Sequence, residues 1–205
     1  MKLLDTLTVA LKLPAAYRFF RQAVGGRNGS CVYLDEYVRP IRGEKVLDIG
    51  CGPGDMLNFL PNVDYLGLDI SPKYIEAAKA RFGNRGRFCC GDVGLATIEQ
   101  EHGTFSLAMA TGVLHHLDDQ TATKLFELAR IALGPGGRLI TFDGCYVPKQ
   151  SGIARWILDH DRGKFVRTRP EYERLASRCF AKVESYVRHD LLRIPYSHLI
   201  MRCSN

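Results

Sequence analysis

The residues with the clearest chemical potential form a glycine-rich stretch, Asp48-Ile49-Gly50-Cys51-Gly52-Pro53-Gly54-Asp55. Glycine lacks a Cβ, so a ligand can approach the backbone of such a stretch closely. Asp69 follows 19 residues after Gly50, and a carboxylate there could accept two hydrogen bonds from a ribose diol. The pattern therefore predicts a nucleoside-binding turn. A tight turn beside an unrelated aspartate is the alternative.

The glycine spacing narrows the class of nucleoside. Folds that bind a dinucleotide usually present G-x-G-x-x-G, where the N-terminus of a helix receives the pyrophosphate. Here the spacing is G-x-G-x-G, with Asp48 before it and Asp55 after it. Two carboxylates suit an ammonium or sulfonium group better than a diphosphate. The turn therefore favours a cationic nucleoside over a nicotinamide cofactor.

Short apolar runs and capped amphipathic stretches alternate around this turn. Residues 45–50 and 65–70 have the composition of buried strands. Ser71-Pro72 begins a helix predicted to reach Phe82, and Asp119 begins another that ends at Gly134. Further strands are predicted at 87–90, 105–110, 138–143, 180–188 and 197–203. Such alternation requires a mostly parallel α/β sheet, in which ligands bind beyond the carboxyl ends of the strands.

Length and composition describe one globular domain. The 205 residues are 46% apolar and 24% charged, which excludes a disordered chain, a collagen-like fibre and a small disulfide scaffold. The seven cysteines include no C-x-x-C pair, so we expect a cytoplasmic protein without disulfides and without a metal. The sequence contains no apolar run long enough for a transmembrane helix.

The first 43 residues are predicted to be largely helical. Pro14 can begin one helix that ends at Gly25-Gly26, and Ser30 can cap the next, which reaches Pro40. The residues before Pro14 carry one apolar helical face, formed by Leu3, Leu4, Leu7 and Leu11. We expect that face to pack on the domain or on a partner subunit, with peripheral membrane contact as the alternative.

The net charge of +6 is distributed unevenly. Residues 1–45 carry eight basic and four acidic side chains, residues 46–148 carry eight and twelve, and residues 149–205 carry twelve and six. An acidic centre between basic ends predicts that the centre and the ends meet different partners. For the basic ends those partners could be nucleic acid, a membrane surface or an anionic substrate.

In their order along residues 46–143, these features resemble class I S-adenosylmethionine (SAM)-dependent methyltransferases, particularly the small-molecule branch. The matching stretches are VLDIGCGPG at 46–54, Asp69, GDV at 91–93, ATGVLHHL at 110–117 and LGPGGRL at 133–139. The resemblance implies a Rossmann-like three-layer α/β sandwich with added N-terminal helices. Its seven-stranded, mostly parallel sheet would end in an antiparallel hairpin. The implied single domain has a helical lid at 1–43, a SAM-binding core at 44–143, an acceptor-side insertion at 144–178 and the hairpin at 179–205.

The resemblance also implies roles toward SAM for individual residues. Gly50 and Gly52 would line the methionine portion, and Asp48 would orient the loop or the cofactor ammonium. Asp69 would hold the ribose hydroxyls, and Asp92 would accept a hydrogen bond from the adenine amino group. Further expected cofactor contacts are Cys51, Ile70, Val93, Ala110, Thr111 and, from the N-terminal helices, Tyr17.

Methyl transfer to a hydroxyl oxygen would need a base, and histidine is the usual base near neutral pH. His115 is similar by position to the catalytic histidine of plant small-molecule O-methyltransferases. His116 and Asp143, at the end of the fifth predicted strand, are further catalytic candidates. A histidine pair at this place also occurs in family members that methylate carbon or nitrogen, so orienting or structural roles for the pair are the alternative.

The expected acceptor-side segment, Tyr146–Arg169, is rich in basic residues. Arginine side chains match phosphate and carboxylate oxygens, so Arg155, Arg162 and Arg167 predict an anionic or sugar-like small-molecule acceptor. A solvated helix with ordinary ion pairs is the alternative. The competing functions are a nucleic-acid methyltransferase and a catalytically silent SAM-binding protein.

Overall fold

The computed structural model describes residues 26–92, 95–160 and 163–205. Its strands are β1 (Lys45–Ile49), β2 (Asp64–Asp69), β3 (Arg87–Cys90), β4 (Phe105–Thr111), β5 (Leu133–Tyr146), β6 (Arg167–Thr168), β7 (Lys182–Arg188) and β8 (His198–Ser204). The α-helices are α1 (Gly26–Tyr33), α2 (Pro72–Phe82), α3 (Asp119–Ala132), α4 (Gly152–Asp159) and α5 (Arg169–Ala176). A π-helical turn (Leu34–Val38) and short 3-10 helices (Asp55–Asn58, Gly83–Arg85, Leu95–Glu101 and Leu114–His116) complete the elements.

The main sheet has the strand order β3-β2-β1-β4-β5-β8-β7, and the short β6 pairs with the end of β5. Strands β1 to β5 are parallel to one another, whereas β8 is antiparallel to both β5 and β7. The predicted mostly parallel sheet with a C-terminal antiparallel hairpin is confirmed. The carboxyl ends of β1, β2, β4 and β5 therefore lie along one edge.

Helices cover both faces of the sheet. Along β1, Leu47 and Ile49 belong to one apolar cluster and Val46 to the other, as the alternation of side chains across a strand requires. Helices α3 and α5 pack into the first cluster, and α1 and α2 into the second. This arrangement is the expected three-layer sandwich.

The predicted cap of α2 is present, because the Ser71 side chain accepts from the backbone N–H of Tyr74 and Pro72 occupies the first turn. The second predicted helix runs from Asp119 but stops at Ala132, and β5 begins at Leu133. The following strand is longer than predicted, since it continues to Tyr146 and pairs there with β6.

The prediction that Ser30 caps a helix is wrong. Gly26, which was expected to end the preceding helix, and Ser30 both lie inside α1. Gly29 explains part of the difference, because its missing side chain lets the helix pack directly against the backbone carbonyl of Leu191. The tertiary contact thus outweighs the local capping preference. The helices predicted before residue 25 lie outside the described residues.

Candidate active site

The glycine-rich stretch forms a loop that leaves the end of β1. Gly50 and Gly52 have φ angles of +72° and +54°, a region that side chains other than glycine rarely occupy. The backbone N–H groups of Gly50 and Cys51 both donate to the carbonyl of Leu68, at 2.7 and 2.9 Å. A Cβ on Gly52 would meet no atom within 4 Å. The loop therefore exposes backbone to open space, as close approach of a ligand requires.

Asp69 lies at the end of β2, opposite this loop. Its Oδ2 accepts from the backbone N–H of Gly52 and its Oδ1 from that of Ser71, each at 2.8 Å. A carboxylate has about four acceptor sites, so capacity remains for a ribose diol. Ile70, beside it, is 74% exposed. A carboxylate next to an exposed apolar side chain suits an adenosine group.

Asp92 is exposed and follows β3 by two residues. The backbone N–H of Gly91 donates to the Asp69 carbonyl at 3.1 Å, so the ends of β2 and β3 are joined beside the loop. This brings Asp92 to the same edge of the sheet as Asp69. Val93, the other residue expected near adenine, lies outside the described residues.

Asp48 and Cys51 lie beneath the loop rather than on its surface. Asp48 is 1% exposed and accepts from the Tyr65 hydroxyl at 2.6 Å. Burial raises the pKa of Asp48 to about 7, and the charge of Asp69 adds to the rise, while the Tyr65 hydrogen bond opposes it. Burial also raises the pKa of the Cys51 thiol. The Cys51 side chain is buried, and its thiol donates to the Gly52 carbonyl.

Asp55, the second carboxylate of the glycine stretch, pairs with Arg81 on α2. Its charge is therefore compensated within the protein. Of the two carboxylates expected to select a cationic ligand at this loop, Asp55 is thus already engaged by Arg81.

The catalytic candidates His115 and Asp143 are in direct contact. Asp143 Oδ1 lies 2.8 Å from His115 Nδ1 and accepts from the His115 backbone N–H at 3.2 Å. Asp143 is 2% exposed and His115 8%. Among the residues that the structure describes, Asp143 Oδ2 has no hydrogen-bond partner. A buried carboxylate of β5 thus orients a histidine ring in the turn that follows β4.

His116 is exposed, and its ring centroid lies 4.1 Å from that of His115. The two histidines therefore have different surroundings, and only His115 contacts Asp143. Ala110 is buried in the core, whereas Thr111 is partly buried at the end of β4. Gly112 follows it and donates to the Phe142 carbonyl at 2.7 Å, which joins the ends of β4 and β5.

The three acceptor-binding candidates differ in their surroundings. Arg155, on α4, is exposed, stacks over Tyr146 at 5.1 Å from the ring centroid and lies 4.0 Å from Asp159. Arg167 is 7% exposed and engaged by neighbouring protein groups. Arg162, like the cofactor candidate Tyr17, lies outside the described residues.

Sequence reasoning missed two residues beside His115 and Asp48. Gly163 is buried against His115, and a Cβ there would overlap the imidazole ring. Tyr65 holds Asp48 because Gly67, opposite Asp48 in the β1–β2 register, leaves room for its ring. Gly163 stands within a basic run, and nothing in its sequence context indicates the contact. The Tyr65 contact could have been found from the parallel register of the two predicted strands.

Two further observations concern metals and membranes. Within residues 26–92, 95–160 and 163–205, no group of three His, Cys, Asp or Glu side chains has the geometry to hold a metal ion. No helix in that same part of the chain is both long enough and apolar enough to cross a bilayer.

Comparison with known sequences places this site in a family. Residues 46–137 match the family described as "Methyltransferase domain". The chain is 32% identical over 123 residues to 27-O-demethylrifamycin SV methyltransferase of Amycolatopsis mediterranei, and 33% identical over 104 residues to malonyl-[acyl-carrier protein] O-methyltransferase of a Paenibacillus species. These alignments cover 56% and 47% of this chain. They span less than half of the relatives, 44% and 37% of their lengths.

Solved structures share the fold over nearly the whole chain. A TehB-like SAM-dependent methyltransferase from Corynebacterium glutamicum superposes with a TM-score of 0.68 at 21% identity, covering 97% of this chain and 98% of its own. Haemonchus contortus phosphoethanolamine N-methyltransferase 2, in complex with phosphomonomethylethanolamine and S-adenosylhomocysteine, also gives 0.68, at 17% identity and with 89% and 54% covered. The strand order and the matched residues agree: residues 46–137 form a methyltransferase domain, on the fold that SAM-dependent methyltransferases share.

Proposed function

We propose that this protein transfers the methyl group of SAM to a hydroxyl oxygen of a small molecule. The observation that carries the proposal is the buried His115–Asp143 pair, with 2.8 Å between Nδ1 and Oδ1. Asp143 lies in β5 level with the end of β4, and His115 lies in the turn that follows β4, on the same sheet edge as the glycine loop. An oriented histidine beside a cofactor loop suits an acceptor that must lose a proton.

The residues at the loop fit SAM. Gly52 opens onto free space, Asp69 retains acceptor capacity for the ribose, and Ile70 offers an exposed apolar surface for adenine. Asp92 lies at the same edge, where it would accept from the adenine amino group. Asp48 would support the loop from beneath through its hydrogen bond with the Tyr65 hydroxyl.

When bound, SAM supplies an electrophilic methyl group for an in-line displacement, which depends mainly on the position of the acceptor. Asp143 would accept from the His115 Nδ1–H and thereby fix the ring and its tautomer, leaving Nε2 as the proton acceptor. His115 would then remove the hydroxyl proton as the oxygen attacks. Its burial excludes competing water from that step.

The charge of the acceptor depends on which arginines can reach it. Arg155 is exposed and could meet an anion, but the donors of Arg167 are occupied by protein groups. The names of the relatives point to different compounds, and several carry O-methyltransferase in their names. We therefore propose a neutral or sugar-like hydroxyl compound, with an anionic one as the variant that depends on Arg155.

The test begins with calorimetric binding of SAM and S-adenosylhomocysteine. Asp69→Ala should weaken both at least about 10-fold, because it removes hydrogen bonds to a charged acceptor. Normal binding by this variant would contradict the cofactor site. Binding without turnover on any acceptor would instead favour the catalytically silent alternative.

Turnover is then measured with radiolabelled SAM on panels of neutral and anionic alcohols, amines, carbon nucleophiles and nucleic acids. We expect alcohols to be methylated, with kcat/KM rising through one ionisation that is lost in His115→Ala and weakened in Asp143→Asn. His102→Ala is the matched control, since His102 is exposed and precedes β4, whereas His115 follows the other end of that strand. An unchanged profile in His115→Ala would overturn the base assignment. Strongly salt-dependent methylation of nucleic acid alone would overturn the small-molecule acceptor.

A further inference from the structure

Arg167, the first residue of β6, is a buried arginine whose donors are all engaged. Its Nε–H and one Nη2–H donate to Asp119 Oδ1, at 2.9 and 2.8 Å. Its Nη1 donates to the carbonyls of Leu114 and Phe165, at 3.0 and 2.9 Å, and its Nη2 to the carbonyl of Leu117 at 2.7 Å. A guanidinium has five N–H donors, so none is left for a substrate.

These contacts surround the histidine pair. Leu114 and Leu117 flank His115 and His116 in the 3-10 helix after β4, so Arg167 holds the carbonyls on both sides of the pair. The carbonyl of His115 itself accepts from the Phe165 N–H at 2.9 Å. Gly163 packs on the His115 ring. A segment about 50 residues further along the chain thus contacts the His115 loop on both sides of the histidine pair.

The chemistry of the contact requires arginine. One planar, rigid group reaches three carbonyls and a carboxylate in fixed directions, whereas a lysine ammonium has three donors on a flexible stem. Asp119 compensates the charge, and the rings of Phe165 and Tyr172 lie 5.9 and 5.6 Å from the guanidinium carbon. A buried cation with this number of partners is costly to replace.

We propose that Arg167 is a positioning residue for methyl transfer: it clamps the acceptor-side segment to the loop of His115 and keeps the imidazole on Asp143. The inference rests on the proposed function for its catalytic consequence, but the position of His115 can be measured without an acceptor. The glycine loop follows β1 and Asp69 ends β2, whereas Arg167 joins β6 to the turn after β4. Cofactor binding should therefore not depend on the contacts of Arg167.

The experiment compares Arg167→Lys with Arg169→Lys. Arg169 is a matched control two residues away, because it is exposed and pairs with Glu173 on the surface. The first readout is the imidazole ¹H–¹⁵N spectrum of the labelled protein, with the His115 signals identified by their loss in His115→Ala. The others are calorimetric binding of S-adenosylhomocysteine and, with an acceptor from the panel above, kcat and KM.

In Arg167→Lys we expect the hydrogen-bonded Nδ1–H signal of His115 to shift or broaden. Binding of S-adenosylhomocysteine should stay within about twofold, while kcat falls on the order of 100-fold, the cost of misplacing a reacting group by about 1 Å. Arg169→Lys should match the wild type in every readout. An unchanged His115 signal in folded Arg167→Lys would overturn the proposal.

Should Arg167→Lys fail to fold, Asp119→Asn provides the second test. It removes the carboxylate that compensates Arg167 and should shift the same His115 signal by a smaller amount; no shift overturns the proposal. If the wild type binds S-adenosylhomocysteine but methylates no acceptor, the proposed function fails. The spectra still decide whether Arg167 positions His115.

Discussion

The buried carboxyl of Asp48 makes the stability of the protein depend on pH in a direction opposite to that of most carboxyls. Asp48 is 1% exposed, and burial raises its pKa to about 7, whereas an unfolded aspartate titrates near 3.9. Between these values the folded state keeps a proton that the unfolded chain has lost. The free energy of unfolding should therefore fall as pH rises through this window and level off above about pH 7.

The size of the effect follows from the same pKa values. Each pH unit well inside the window removes about 1.4 kcal/mol, and the slope declines near pH 7, so the change from pH 5 to pH 8 removes about 3 kcal/mol. The variant Asp48→Asn has no proton to lose at this position, and the introduced amide oxygen can still accept from the Tyr65 hydroxyl. Relative to the wild type, the free energy of unfolding of the variant should therefore rise by about 3 kcal/mol between pH 5 and pH 8.

The assay is urea denaturation without ligand at pH 5, 6, 7 and 8, followed by circular dichroism under reducing conditions. The quantity of interest is the difference between variant and wild type, in which the other titrating groups cancel. Asp35→Asn is the control, since Asp35 is exposed and its substitution should leave the difference flat. Parallel curves for Asp48→Asn and the wild type over this range would refute the assignment of the titration to Asp48.

Two glycines supply further predictions. Gly50→Ala should lose about 1–3 kcal/mol of stability from its φ of +72°, and more than Gly43→Ala, because only the Cβ at Gly50 would lie 2.5 Å from a methyl group of Val113. Equal denaturation midpoints for the two variants would contradict this. Gly163→Ala should displace His115 and lower kcat on the order of 100-fold with unchanged KM for SAM; an unchanged kcat would show that the ring can move aside.

Much of the sheet could be predicted from the sequence because the signals are local. The run at 45–50 and the cap at Ser71 depend on apolar character, glycine and proline, and the structure has β1 and α2 there. The site edge also follows, since the carboxyl ends of parallel strands meet. The pairing of His115 with Asp143 needed one further step, namely that β4 and β5 are neighbours.

What could not be predicted depends on partners that leave no pattern in the sequence. The residue type of Arg167 indicated an anion site, but its actual partners include the backbone carbonyls of Leu114 and Leu117. Every residue carries a carbonyl, so sequence does not mark these two. The prediction for Ser30 was wrong for a related reason. Gly29 packs closely on Leu191, a contact that the sequence does not mark, and α1 begins before Ser30, at Gly26.

The basic C-terminal segment has a different meaning once the partners of its arginines are known. Residues 149–205 have an excess of six positive charges, but Arg167 uses its donors within the fold. Arg188 likewise donates to the Tyr37 hydroxyl at 2.8 Å and pairs with Glu36 and Asp190. Such side chains add to the positive charge of the segment, but neighbouring protein groups already compensate that charge. An anionic acceptor would therefore depend on exposed groups such as Arg155, and Arg155→Gln should raise the KM of anionic acceptors without affecting neutral ones.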